Sequence, residues 1–244
     1  MKYAIIADIH SNLAALNSVL EVLRAERVDR IYCLGDIVGY NANPLECVQT
    51  VRSKGIISLQ GNHERAVLGG SMDDAKPETL QAIEFTRRQL PPDQLAFLKS
   101  LPEQLHLEER ILLVHGSPRN RDEYILNPRA ISDNLRYVAT ECPGIDLCFY
   151  GHTHIPLIVG AGKVFSKIHK TTTYKLERFR TYLINPGSVG QPRDNCPLSS
   201  FAVLDLGEHA VTIHRKEYDV RASRDRVIEA GLSPLFADRL VLGR

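Results

Sequence analysis

Short apolar runs alternate with amphipathic stretches along the first part of the chain. Residues 3–7 (YAIIA) form a continuous apolar run rich in β-formers, which predicts a buried strand. Over 12–25, Leu13, Leu16, Leu20 and Leu23 recur at helical spacing, with Ser11 or Asn12 as N-cap. Residues 31–34 predict a second strand, 44–52 a helix with Pro44 in its first turn, and 56–59 a third strand. Strand, helix, strand, helix, strand is the order of a parallel α/β sheet. Helical patterns at 78–90 and 93–98 flank Pro91-Pro92, and strands return at 110–114 and 146–150. Beyond residue 154 the texture changes. Residues 157–159, 163–168, 181–184, 201–205 and 211–215 read as strands joined by turns, which predicts a second, mostly antiparallel sheet. The stretch 221–242 is helical, interrupted at 231–234.

Composition narrows the class. The chain has 244 residues, enough to bury a core without disulfides. No segment rich in Gly, Ser or Pro divides it, so 1–244 is expected to form one domain with two packed sheets. Thirty basic and 29 acidic side chains leave a formal charge of +1, which argues against a general nucleic-acid coat protein. The first apolar run meets Asp8 too early for a signal peptide, and no run approaches the ~18 apolar residues of a membrane helix. The five cysteines contain no CxxC pair, so neither a disulfide framework nor a zinc ribbon is expected. A cytoplasmic protein with reduced thiols and no membrane partner follows.

The chemistry lies where the apolar runs stop. Asp8-Ile9-His10 follows the first strand, Gly35-Asp36 the second, and Gly61-Asn62-His63 the third. His115-Gly116 follows RILLV, and Gly151-His152-Thr153-His154 follows DLCFY. Open α/β sheets bind ligands at the carboxyl ends of their strands, so residues far apart in sequence would meet at one edge. In Asp8-x-His10 and His152-x-His154, positions i and i+2 of an extended chain would face one side. The set is two carboxylates, one amide and several imidazoles with no thiolate. That suits Mn2+, Fe2+/Fe3+, Zn2+, Ni2+ or Co2+ rather than calcium or a structural zinc. It is too large for one ion, which predicts two divalent metal ions about 3.5–4 Å apart in a hydrolytic centre.

With DIH, GDIVG, GNH, HG and GHTH in this order, the sequence resembles the calcineurin-like metallophosphoesterases, closest to small uncharacterised prokaryotic members. The segments 184–194 (INPGSVGQPRD) and 217–243 share their endings, so the likeness covers essentially the whole chain. The resemblance implies an α/β fold, a four-layer α-β-β-α sandwich with two packed mixed β-sheets and the metals at the C-terminal strand ends. It implies Asp8, His10 and His154 on the first metal, and Asn62, His115 and His152 on the second, with Asp36 bridging. It further implies phosphodiester or phosphomonoester hydrolysis by attack of a metal-bound hydroxide, with His63 protonating the leaving oxygen or orienting the phosphate. Many relatives carry an acid or arginine soon after the bridging aspartate; this chain has Ile37-Val38-Gly39-Tyr40.

Other features carry weaker readings. The resemblance places the loop of Ser188 and Arg193 near the metals, where both could contact substrate beside Asn62. Arg119 and Arg121, soon after His115, could do the same. His106, His169, His209 and His214 lie outside the pattern and read as surface or strand-edge residues. Residues 163–180 carry six basic side chains and one acid with Phe165, Tyr174 and Phe179 interleaved. A solvated hairpin is favoured there over a nucleic-acid contact. No cysteine has an arginine six positions on, which sets cysteine-dependent phosphatase chemistry aside. The expected substrate is small and phosphorylated or a nucleotide, acted on by a monomer or homodimer. The rival readings are a nuclease, a nucleotide pyrophosphohydrolase, or a non-catalytic scaffold module of this fold.

Overall fold

The structure, a computed structural model, describes residues 1–72 and 75–244. The chain begins β1 (Lys2–Ile6), α1 (Leu13–Glu26), β2 (Arg30–Cys33), α2 (Pro44–Ser53), β3 (Ile57–Ser58) and α3 (Asn62–Val67). It continues through α4 (Pro77–Gln89), α5 (Pro92–Ser100), β4 (Gln104–Leu107), β5 (Ile111–Val114), α6 (Pro128–Glu141) and β6 (Leu147–Phe149). The remainder is β7 (Leu157–Gly160), β8 (Lys163–Phe165), β9 (Thr172–Lys175), β10 (Tyr182–Asn185), β11 (Ser199–Asp205), β12 (Ala210–Lys216), α7 (Val220–Glu229) and α8 (Pro234–Leu242).

These strands form two six-stranded sheets, ordered β3-β2-β1-β11-β12-β9 and β4-β5-β6-β10-β7-β8. β1, β2 and β3 run parallel, as do β5, β6 and β10; the flanking pairings are antiparallel. The later strands therefore do not make a sheet of their own, contrary to the reading from texture. β9, β11 and β12 extend the first sheet, while β10, β7 and β8 complete the second. Both sheets are mixed, and the sequence of turns after residue 154 carries no mark of which sheet each strand joins.

Alternation along the strands builds the layers. In β1, Ala4 and Ile6 pack with Leu16, Val19 and Leu23 of α1 and with Cys47, Val48 and Val51 of α2. Tyr3 and Ile5, on the other face, pack with Ile111, Leu113, Phe149, Ile158 and Ile184 of the second sheet. Leu112, Val114, Cys148 and Leu183 face outward onto Val138 of α6. Helices, sheet, sheet, helix is the four-layer order, with both faces of each sheet covered. Burying one such aliphatic side chain stabilises the fold by about 1.5–3 kcal/mol. α7 and α8 form a further cluster in which Val227, Phe236 and Leu240 meet Tyr40 and Ala82.

Local signals explain the element ends. Asn12 caps α1 by accepting the Ala15 N–H at 3.2 Å, and Arg27 ends it in the left-handed region at φ 52°. Four elements stood outside the sequence reading; one is β4, a short edge strand paired with β5 alone. α6 is announced by Asn127, which accepts the Ala130 N–H, and by Pro128 in the first turn. α3 is a single short helix following Gly61. β9 (TTYK) is an exposed edge strand whose side chains need not be apolar. No described helix is long and apolar enough to cross a membrane.

Candidate metal centre and its cavity

The carboxyl ends of β1, β2, β3, β5 and β6 converge, and the polar residues that follow each strand meet there. Asp8, His10, Asp36 and His154 bring their ligand atoms within 4.8 Å of one another, and Asp36, His115 and His152 do the same. All six are buried. Asn62, half-buried, places Oδ1 2.9 Å from His115 Nε2 and so joins the second group. Every metal ligand named from the sequence thus lies in one of two adjoining groups.

The chain reaches this arrangement by sharp turns. Asp8, His10, Asp36, His152 and His154 all have φ between 47° and 65°, in the left-handed region. That conformation costs an L-residue about 1–2 kcal/mol. The extended-chain argument for the i, i+2 pairs therefore fails in its geometry. The pairs reach the centre through turns, and His152 and His154 enter different groups. Strain concentrated at one spot persists only where surrounding contacts hold it. Here the Asp8 N–H donates to Gly35 O at 3.1 Å within the first sheet, and the His152 N–H donates to Asp8 Oδ1 at 3.1 Å, tying the second sheet to the first. Gly61 is required, because a Cβ there would collide with Asp36 Oδ1.

Backbone carbonyls orient the imidazoles. Nδ1 of His10 lies 3.0 Å from Val38 O, Nδ1 of His115 2.9 Å from Leu34 O, and Nδ1 of His154 2.6 Å from Gln191 O. A carbonyl only accepts, so each Nδ1 carries the proton and each Nε2 presents a lone pair inward. His10 Nε2 and His154 Nε2 then face each other at 3.0 Å. Two lone pairs at that distance repel unless a cation lies between them. Two nitrogens bound to one ion at about 2.1 Å stand about 3 Å apart when they subtend a right angle. The donor set therefore fits a divalent ion, and the 3.1 Å separation of His115 Nε2 and His152 Nδ1 matches it in the second group.

Asp36 joins the groups through one oxygen. Its Oδ2 lies 3.6 Å from His10 Nε2 and 3.4 Å from His115 Nε2, whereas Oδ1 accepts the His63 N–H at 2.9 Å. Burial pushes the carboxyls of Asp8 and Asp36 upward, and the neighbouring Asp36 adds to the shift of Asp8. Burial likewise holds the imidazoles low, at about 4 for His115, about 2 for His152 and about 3 for His63. Neutral imidazoles are what a metal ligand requires.

His63 stands beside the ligands. Its ring packs 4.7 Å from that of His10 and 4.5 Å from that of Tyr40, and its Nδ1 is buried with no hydrogen-bond partner. Behind it, Glu64 is fully buried. Its Oε2 accepts the N–H groups of Asp36 and Gly61, each at 2.8 Å, and its Oε1 accepts that of Val38 at 3.2 Å. Burial, then the charge of Asp36, raises the Glu64 carboxyl to about 7. Sequence reasoning missed Glu64 as the residue that holds the Asp36 loop. The available signal was an acid directly after GNH, three residues past the Gly61 N-cap of α3.

The groups open onto a cavity of about 630 Å³, lined by Asn62, His152, Tyr40 and Tyr124 and by Arg65, Arg121, Arg193 and Arg239 among others. Of the residues named from the sequence as substrate contacts, Asn62, Arg121 and Arg193 line it. Arg119 turns instead toward Glu123 and Asp133, each at 3.9 Å, and does not line the cavity. Ser188 is fully buried; its hydroxyl donates to Asp8 O and accepts the Gln191 N–H, both at 2.8 Å. It ties a loop to β1 and offers no face to a substrate. Arg239 was not foreseen, because it lies on α8 and far from every motif.

This is the site of a phosphoesterase fold. The profile of the calcineurin-like phosphoesterase superfamily domain matches residues 1–209, and the chain belongs to that superfamily. It is 38% identical over 249 residues to the uncharacterized protein MJ0912 of Methanocaldococcus jannaschii, covering 99% of this chain and 98% of that one. It is also 38% identical to a metallophosphoesterase from Sphaerobacter thermophilus, whose crystal structure matches with a TM-score of 0.86 and covers 100% of this chain and 99% of that one. Phosphodiesterase YfcE of Escherichia coli K12 is 24% identical over 208 residues, covering 84% of this chain and 88% of that one.

Proposed function

We propose that this chain hydrolyses small phosphodiesters with two divalent metal ions. Asp8, His10, Asp36 and His154 would hold one ion, and Asp36, Asn62, His115 and His152 the other. The observation that carries this reading is the pair of buried donor groups sharing Asp36 Oδ2, with imidazole lone pairs aimed at each other at 3.0 Å. Divalent ions there supply a water acidic enough to attack phosphorus near neutral pH and positive charge opposite the phosphoryl oxygens. The family membership supports ester hydrolysis, and the likeness to a bacterial phosphodiesterase favours diesters.

The chain's own residues do the rest. Carbonyl bonds to Nδ1 keep His10, His115 and His154 in one tautomer and one orientation. Arg193 contributes a guanidinium at the cavity wall, beside the residues that would hold the ions. His63, held by its own N–H to Asp36 Oδ1, presents its ring to the leaving oxygen or to the phosphate and donates a hydrogen bond there. The 1–244 chain acts as one catalytic domain. All five cysteines are unpaired thiols, in keeping with a reducing compartment such as the cytoplasm. Imidazole and carboxylate donors accept Mn2+, Fe2+, Zn2+, Ni2+ or Co2+, so availability selects among them.

The test is turnover of bis(p-nitrophenyl) phosphate by protein loaded with each metal, with bound metal counted by plasma spectrometry. The wild type should bind two ions and turn the diester over. Asp36→Ala should lower the rate by about a thousandfold, or about 4 kcal/mol, and lose metal. Unchanged turnover in Asp36→Ala would end the proposal.

A further inference from the structure

The four arginines of the cavity divide into two pairs. Arg65 is neutralised by Asp122, and Arg121 by Glu103 and Asp122. Arg193 and Arg239 have no carboxylate within ion-pair distance among the described residues. Arg193 donates to Gln191 Oε1 at 3.0 Å, and its Nε is buried without a partner. The Arg239 guanidinium rests over the ring of Phe236 at 5.8 Å. A series of contacts links the two: Arg193 lies over Tyr40 at 5.6 Å, and the rings of Tyr40 and Phe236 are 5.0 Å apart and tilted by 56°.

Like charges placed on one cavity wall repel, and partial burial strips away the water that would screen them. Burial, then the charge of Arg193, lowers the Arg239 guanidinium from its ordinary value. Glu78 on α4 acts on it without forming an ion pair. An anion between the two arginines would relieve the repulsion and satisfy both forks.

Position says which anion. Arg193 adjoins the metal ligands, since its N–H donates to His154 O at 3.2 Å. Arg239 stands one ring pair farther out and is contributed by α8, beyond the residues matched by the superfamily profile. An anion at Arg239 is therefore separate from the phosphate being cleaved. Tyr124, which lines the same cavity, stacks on His152 at 3.8 Å and exposes 45% of its surface, a flat platform for an organic ring. We propose that Arg193 and Arg239 form a subsite for a second phosphate of the substrate, joined to the scissile one through a spacer of nucleoside type. Arg239 is its specificity-determining residue. This deepens the phosphodiesterase reading and rests on it.

The experiment measures calorimetric affinity of the Mn2+-loaded protein for thymidine 5′-monophosphate and thymidine 3′,5′-bisphosphate. The wild type should prefer the bisphosphate by about tenfold. Arg239→Ala should reduce that preference to about twofold or less, and Arg239→Lys should keep part of it as a point charge without the planar fork. Should the alanine variant fold poorly in a melting scan, Arg239→Gln replaces it with the same expectation. Equal affinities in the wild type, or a preference that survives removal of the charge, would overturn the subsite. Diester turnover in the same preparations reports separately on the catalytic reading. Its loss with the preference intact would count against catalysis and uphold the subsite.

Discussion

Two regions concentrate charge, and they use it in opposite ways. At the strand ends, Asp8, Asp36, Glu64 and the surrounding histidines are buried, and most are held by a named backbone group. The segment 163–180, expected as one hairpin, is instead divided between β8 at the edge of one sheet and β9 at the edge of the other, and its basic side chains project into water, with Lys163 meeting Glu177 at 3.1 Å and Lys175 meeting Glu208 at 2.7 Å. Phe179 there is 81% exposed, beneath the guanidinium of Arg110. This segment is the denser in charge along the sequence. The strand ends are the denser in consequence, because desolvation multiplies what each polar contact is worth. Charge density alone points to the wrong region; the position of a polar residue relative to an apolar run points to the right one.

The comparison breaks first at Glu64. Glu64→Ala strands three buried N–H groups, each worth about 1–3 kcal/mol when unpaired, so a loss of about 3 kcal/mol or more is expected. Relief of its repulsion with Asp36 offsets part of this. Glu64→Gln should lose much less, since the amide oxygen still serves Asp36 and Gly61 and only the Val38 bond is forfeited. Denaturant titration of the three proteins checks the order, and metal analysis checks the expected fall in occupancy for the alanine variant. An alanine variant as stable as the wild type would mean that burial at this edge counts for no more than exposure.

A smaller effect is expected at Gly39, whose φ is +93° and whose added Cβ would collide with His63 Nδ1. Gly39→Ala should displace the His63 ring and leave the metal ligands in place. The expected result is a fall in diester turnover of about tenfold, or 1.4 kcal/mol, with two ions retained. His63→Ala should act in the same direction and least on substrates with acidic leaving groups. Loss of both ions in either variant would show that His63 supports the ligands rather than the reaction.

Legibility followed the same divide. The strands of the sandwich's centre were readable because both faces are covered, so β1, β5 and β6 appear as unbroken apolar runs. Their ends were readable because a ligand type sits directly after each run. The partition of later strands between sheets was not, since β11 and β10 present similar apolar surfaces and differ only in which strand they pair with. Glu64 was half legible from its place after GNH. Arg239 was not legible at all: its neighbours in space are Tyr40 and Phe236, and no spacing in the sequence brings α8 to the cavity. The roles of Ser188 and Arg119 turned on which way a side chain points, which hydrogen bonding decides only in the folded chain. The edge strand β9 lacked a signal because Thr172, Thr173 and Lys175 are exposed and Tyr174 alone turns to the core.

The segment 163–180 supplies the smallest effect and the sharpest contrast. Lys163→Ala with Lys175→Ala removes two exposed ion pairs, which typically contribute about 0.2–1 kcal/mol each and less in salt. Neither lysine lines the cavity beside the metal ligands. Stability should therefore change by at most about 2 kcal/mol in total, and less in salt, and diester turnover by less than about twofold. A gel shift with single- and double-stranded DNA and RNA should show no binding that the double variant abolishes. Paired lysines already have their partners, and a phosphate backbone would have to displace Glu177 and Glu208 to reach them. A variant that lost nucleic-acid binding together with turnover would invert the comparison, making the exposed charge the functional one.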